Sequence, residues 1–211
     1  FVIERDFSQN NHLSISAESY NGVVNDANNE DNEYVSGENI NLLYTQDFNS
    51  GDTLRLQSYY QHFYRRDGLK EDSSAELRDL YMADIDITYA QSVQNHHLTY
   101  GSSFRTISDN TNPNAGTVVV NPQKRTDNIY SLSFQDEYHL RTNTLIILGT
   151  KLENIPYTKT EMQPSLKLLK HIDTHNTLWA SISKAVRLPS RLDSDSIKRG
   201  ALDLKAESSL N

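Results

Sequence analysis

The chain has 211 residues, enough for one sizeable domain or two small ones, and a net charge of −8 that argues against nucleic-acid binding, which wants a basic face. It has no cysteine, which removes disulfide frameworks, thiolate metal sites and cysteine nucleophiles. Apolar residues make up only 36% and mean hydropathy is −0.67, yet 12 tyrosines and runs of strict alternation do not fit a disordered chain. A barrel that crosses a membrane reconciles these facts, because only every second residue must be apolar. No apolar run approaches the ~18 residues of a membrane helix. The chain opens FVIERDF, without a basic-then-apolar leader, and stops abruptly at SSLN, which is what a piece of a longer protein is expected to show.

In chain order, residues 1–7 predict a first strand, and 12–21 a second with Leu13, Ile15 and Ala17 on one face. The acidic, Asn-rich run Val23 to Ser36 reads as a loop. Strands follow at 37–48, with Ile40, Leu42 and Tyr44 on one face, and at 53–65, with Leu54, Leu56, Tyr60 and Tyr64 opposing Arg55, Gln57 and Gln61. After a charged loop, 77–90 sets Tyr81, Ala83, Ile85, Ile87 and Tyr89 against Arg78, Asp84, Asp86 and Thr88. Residues 96–107 carry Leu98, Tyr100 and Phe104 on one side and Arg105 on the other. The polar loop Ser108 to Lys124 precedes 125–140, where Tyr130, Leu132 and Phe134 oppose Ser131, Ser133 and Gln135. The last three strands are 144–154, 163–170 and 176–187; residues 188–211 read as a long loop and the start of a further strand.

The connections alternate, short after odd strands and longer after even ones, a rhythm that a Greek-key sandwich has no reason to keep. Each strand offers ~9–11 residues, enough to cross a membrane when tilted. Tyr60, Tyr64, Tyr89, Tyr100 and Trp179, near strand ends or among outward residues, are candidates for an interfacial aromatic girdle.

LGTKLE (Leu148 to Glu153), MQPSLKLL (Met162 to Leu169) and WASISKAVRLPSR (Trp179 to Arg191) closely resemble barrel strands of TonB-dependent outer-membrane receptors. LRLQSYYQHFYRR (Leu54 to Arg66) and YSLSFQDEYHL (Tyr130 to Leu140) match in the same order. The resemblance implies an all-β, antiparallel up-and-down meander of about ten strands. These would form part of a roughly 22-stranded transmembrane barrel with a plugged lumen. It further implies an outer-membrane location, active uptake of an iron chelate or similar nutrient, and no enzymatic activity. The implied partners are the lipid bilayer, a plug domain and the energising TonB complex. On this reading residues 1–211 are a barrel fragment without the plug.

No cofactor is called for. Arg55, Arg78 and Arg105, inward among Asp84, Asp86, Glu137 and Glu153, with Arg187 and Arg191 where the last full strand exits, are the candidate ligand contacts. The alternative for those on the strands is a hydrated lattice of paired charges that docks the plug. Two rival classes remain. A ten-stranded barrel protease would have to bring Asp84 and Asp86 together with Asp173 and His175, yet the first two lie mid-strand and the others in a turn. A soluble β-sandwich binding module would bury Leu56, Ile85, Phe104, Leu132 and Leu148. His171, Asp173 and His175 read as turn residues rather than a metal site. His96 and His97 point to opposite faces, and Asp26 to Glu33 lacks the glycine that an EF-hand loop requires.

Overall fold

The computed structural model describes residues 1–25, 32–67, 77–112, 120–156, 159–187, 194–195 and 207–210. They form eleven strands: β1 (Val2–Ser8), β2 (Asn11–Asn25), β3 (Asn32–Asp47), β4 (Thr53–Asp67), β5 (Leu77–Val93), β6 (His96–Asn112), β7 (Lys124–Arg141), β8 (Thr144–Ile155), β9 (Lys159–His171), β10 (Thr177–Arg187) and β11 (Glu207–Leu210). Each pairs antiparallel with its neighbours in sequence, giving one sheet in the order β1 to β11. The up-and-down meander read from the alternation is present. Among the described residues no helix is long and apolar enough to cross a membrane, which says nothing about crossing by strands.

Strands run further toward the loop end than the polar composition of those segments suggests. β2 and β3 pair out to Asn25 and Asn32, and β6 continues to Asn112, so much of the two expected loops is ladder. Once neighbouring strands are in register, the ladder satisfies backbone groups whatever the side chains prefer. The expected rhythm of connections fails at one place. Ile155 and Lys159 are paired, so the β8–β9 connection is as tight as those at the turn end. The further strand anticipated near the end is β11, paired with β10 through Lys184 to Arg187. Pairing of β9 with β10 stops at Ser165 opposite Ser183, one residue from Pro164, which has no N–H to give a ladder.

The register assigns the two faces without ambiguity, because directly opposed residues share a side. One row runs Tyr44, Leu56, Ile87, Ser102, Leu132, Leu152, Met162 across β3 to β9. Its neighbour contains Leu42, Ser58, Ile85, Phe104 and Tyr130. These apolar side chains are not sealed against anything. Ile85 is 46% exposed, Leu132 60% and Leu148 50%, and the buried hydrophobic residues are only Val120 and Ile155 among those described. That disposes of the sandwich, which needs a second layer over this face.

Aromatic contacts bind neighbouring strands on the apolar face. Ring centroids lie 5.4 Å apart for Tyr100 and Phe134, and 5.0 Å for Phe104 and Tyr130. At the turn end, the Tyr89 hydroxyl donates to Asp52 at 2.8 Å while Phe48 meets its ring edge-on at 6.4 Å. The Tyr89 ring thus has an apolar neighbour while its hydroxyl meets the charged turn. Trp179 departs from the expectation. It is opposite Leu169, on the side of Lys167 and Ser181, and so belongs to the polar face.

Candidate functional site

Among the described residues, most of the charged side chains that meet do so on the polar face. Arg55 projects there from the turn-end half of β4, opposite Thr45 and Thr88, and donates to the neutral Gln57 amide oxygen at 3.2 Å. Arg105 is directly opposite Asp84, and its Nε donates to that carboxylate at 2.7 Å. Arg78 lies near the loop end, opposite Arg65 and Thr111. Arg187 closes β10 and donates to Glu207 of β11 at 3.4 Å, both side chains well exposed. Arg191 lies outside the described residues. The five predicted arginines are therefore not one cluster; those described are spread from the turn end to the loop end.

Sequence reasoning passed over two stronger assemblies at the loop end. Arg65 is bracketed by Glu33 at 2.9 Å and Asp67 at 3.1 Å. Arg125 holds Asp127 at 2.7 Å and also donates to both carboxylate oxygens of Asp195, at 3.2 and 3.3 Å, 70 residues further on. The backbone N–H of Asn121 donates to the Asp195 carbonyl oxygen at 2.9 Å, tying the segment down further. Val120 and Ser194, two of the few buried residues, are on the segments involved. Alternation placed Arg65 and Arg125 on a face, but nothing in the sequence announces a partner so far along the chain.

The face is also not uniformly polar. Phe63 is opposite Leu80, and Met82 is opposite Ile107, all four on the side of Arg105. Beside Phe63 stands Gly37, over which the Tyr20 ring lies so closely that a Cβ there would sit 2.6 Å from ring atoms. A side chain at that position would have to displace the Tyr20 ring.

The rival chemistry does not assemble. Asp84 is engaged by Arg105 in mid-β5, and Asp86 accepts from the Thr88 hydroxyl at 3.2 Å. Asp173 is in the β9–β10 turn, where it accepts from the His175 N–H at 2.8 Å and the Asn176 side-chain amide at 2.8 Å. The Asn176 side-chain bonds, then the His175 N–H, hold the Asp173 carboxyl below its ordinary range. His171 pairs with the Thr177 hydroxyl, and His175 with that of Thr174, so the three turn residues do not converge. The acidic run Asp26 to Glu33 falls almost wholly outside the described residues.

Two histidines contact carboxylates on the other face, and in the first case the Nε2 of His62, which is opposite Tyr81, lies 2.8 Å from Asp79. His96 Nδ1 lies 2.9 Å from Asp136, with its ring 4.5 Å from that of Tyr138. Asp136 is directly opposite Leu98 and Leu148, which places this pair on the apolar face. His97 contacts Ser92 on the polar face, so the two histidines diverge as adjacent strand residues must.

A family model described as TonB dependent receptor-like, beta-barrel matches residues 4–211. No curated protein matches the sequence. Among solved structures, the siderophore receptor PirA from Pseudomonas aeruginosa superposes with a TM-score of 0.83 at 15% identity, over 99% of this chain and 40% of that one. PirA from Acinetobacter baumannii gives 0.76 at 13%, over 99% and 38%. The alcaligin outer membrane receptor FauA from Bordetella pertussis gives 0.65 at 12%, over 88% and 34%. At such identities these likenesses speak to fold, and the chain spans about two fifths of the length of the first of them.

Proposed function

Since the chain belongs to the TonB-dependent receptor β-barrel family, whose members are receptors and transporters rather than enzymes, we propose that residues 1–211 form part of the wall of an outer-membrane uptake receptor. The apolar face meets lipid and the polar face lines a wet lumen. Short turns point to the periplasm and the loop end to the outside. The observation that carries this reading is the exposure of ordered apolar rows on one face of a single sheet, with polar rows on the other. In water such a surface is a liability; in a bilayer it is required.

The ligand proposed is a ferric siderophore or a comparable scarce chelate. Support comes from the structural neighbours, two of which are siderophore receptors. Capture is by binding and not covalent chemistry. Arg55, Arg78, Arg105 and Arg187, with Arg191 on the adjoining loop, are the proposed polar contacts on the wall. A plug domain and the energising TonB complex, neither contained in these residues, complete the proposed machine. The test is radio-iron uptake by cells that carry the full-length receptor as their sole chelate receptor. Uptake that vanishes when the energising complex is deleted supports the reading; uptake unaffected by that deletion contradicts it.

A further inference from the structure

Toward the loop end the apolar face of β2 to β5 changes character along one boundary. Ala17, Ile40, Tyr60 and Ala83 are opposed across the four strands, and the next outward row is Ser19, Glu38, His62 and Tyr81. Beyond it come Asn21, Ser36, Tyr64 and Asp79. Outward residues that pass from apolar to polar in step on adjacent strands mark the edge of a lipid-covered belt.

A groove crosses that edge. Its loop-end part, about 310 Å³, is lined by Ser19, Asn21, Ser36, Glu38 and His62. The part toward the belt, about 510 Å³, shares Ser19 and Glu38 and adds Phe1, Ala17, Ile40 and Tyr60. Short side chains on β2 and β3 beside long ones on β4 leave this space. One wall is fixed: the His62 ring stacks on that of Tyr81, centroids 4.1 Å apart and planes within 4°, while its Nε2 lies 2.8 Å from Asp79. Glu38 is 3.8 Å from His62 Nδ1 and its side chain is 56% exposed, so its oxygens can still accept.

Charge does not choose the occupant. Among the described residues of this region the outward carboxylates are Glu38 and Asp79, the latter held by His62. The outward arginine is Arg66, opposite Tyr34 and Leu77, two outward positions beyond His62. No lysine or arginine lines either part of the groove, so nothing in it calls for a phosphate. Hydroxyls, an amide, a carboxylate and aromatic rings are instead the groups that hydrogen-bond to a polyol and pack against its carbon skeleton.

We propose that this groove binds an outer-leaflet lipid with a sugar headgroup. The sugar hydroxyls meet Ser19, Asn21, Ser36 and Glu38, and the upper acyl chain lies along Ala17, Ile40 and Tyr60. The proposal rests on the wall reading for the presence of lipid at this face. It goes beyond uptake, because the ligand is a resident of the membrane and not the cargo.

The experiment uses the full-length receptor in phosphatidylcholine nanodiscs. Separate samples contain a glucosyl diacylglycerol or a phosphatidylethanolamine, each with the same diazirine near the head of one acyl chain. Cross-linked residues are located by mass spectrometry. The glycolipid is expected to label Ile40 and Tyr60 about tenfold more than the phosphatidylethanolamine does, the difference that a few hydrogen bonds supply. Ser19→Leu, which fills the groove, and Glu38→Leu, which removes two acceptor oxygens, are each expected to abolish most of that preference. Thr106→Leu, outward on β6 opposite Ala83, is expected to leave it unchanged. Equal labelling by the two lipids, stronger labelling by the phosphatidylethanolamine, or a preference that neither Ser19→Leu nor Glu38→Leu lowers overturns the inference. Labelling of Leu132, Leu148 and Leu166 separates the two readings. If it is present and the groove shows no preference, the membrane wall stands and only this site falls; if it is absent with both lipids, the wall falls as well.

Discussion

Leu132→Arg puts the orientation of the sheet to a quantitative test. On β7 the apolar-face residues are Tyr130, Leu132, Phe134, Asp136 and Tyr138, and Leu132 is 60% exposed. Outward residues are ~6.7 Å apart along a strand, or ~5 Å along the membrane normal at a tilt of ~40°. Five of them therefore fill a belt ~25 Å tall, and Leu132 lies ~5 Å from its middle member, Phe134. An arginine near the midplane of such a belt costs about 2–4 kcal/mol, roughly a thirty- to several-hundred-fold loss in the folding equilibrium. Gln135→Arg, on the opposite face next to Glu137, is the control and is expected to change stability by no more than about 0.5 kcal/mol. The assay is a guanidinium titration of the full-length receptor in phospholipid vesicles, read from the mobility of the unheated folded band on a gel. Equal tolerance of both substitutions, or a larger cost for Gln135→Arg, would refute the assignment of faces.

Three other outcomes follow from individual contacts. His96→Leu leaves Asp136 without its partner on the apolar face and is expected to destabilise the inserted receptor by about 2 kcal/mol, whereas the double change with Asp136→Leu restores most of the loss; the same titration reads both. Gly37→Ala forces the Tyr20 ring off the sheet and is expected to cost about 1 kcal/mol, with Tyr20→Ala in the same background adding little, because the substitutions break one contact. The lowered pKa of Asp173 means that its folded form binds a proton less readily than its unfolded form. Its contribution to the turn is thus complete above the ordinary carboxylate pKa of about 4 and disappears as pH falls through the lowered value. Hydrogen exchange of the His175 and Asn176 amides should show that loss of protection at low pH, and Asp173→Asn should abolish the pH dependence.

Alternation made the strands and their two faces legible, since a period of two needs only a few residues to declare itself. Leu132 between Ser131 and Ser133 is enough. Strand ends were less legible, because segments such as Val23 to Asn25 and Ser108 to Asn112 have loop composition but inherit their conformation from neighbours already in register. Pair partners were not legible at all. His96 finds Asp136 across 40 residues and Arg125 finds Asp195 across 70, and no local pattern encodes either register. The patch around Phe63, Leu80 and Met82 was hidden for a different reason: in an alternating strand, attention goes to the face with the longer apolar row, and apolar residues on the other face read as noise.

The most direct test is a scan along β7. Single cysteines from Tyr130 to Tyr138, introduced into a cysteine-free background of the full-length receptor in vesicles, carry nitroxide labels. Their collision rates with oxygen, which partitions into lipid, and with a water-soluble nickel chelate are then compared. Even positions should favour oxygen and odd positions nickel, with a period of two. A flat profile, or even positions shielded from both reagents, would contradict a wall with lipid on one side and water on the other.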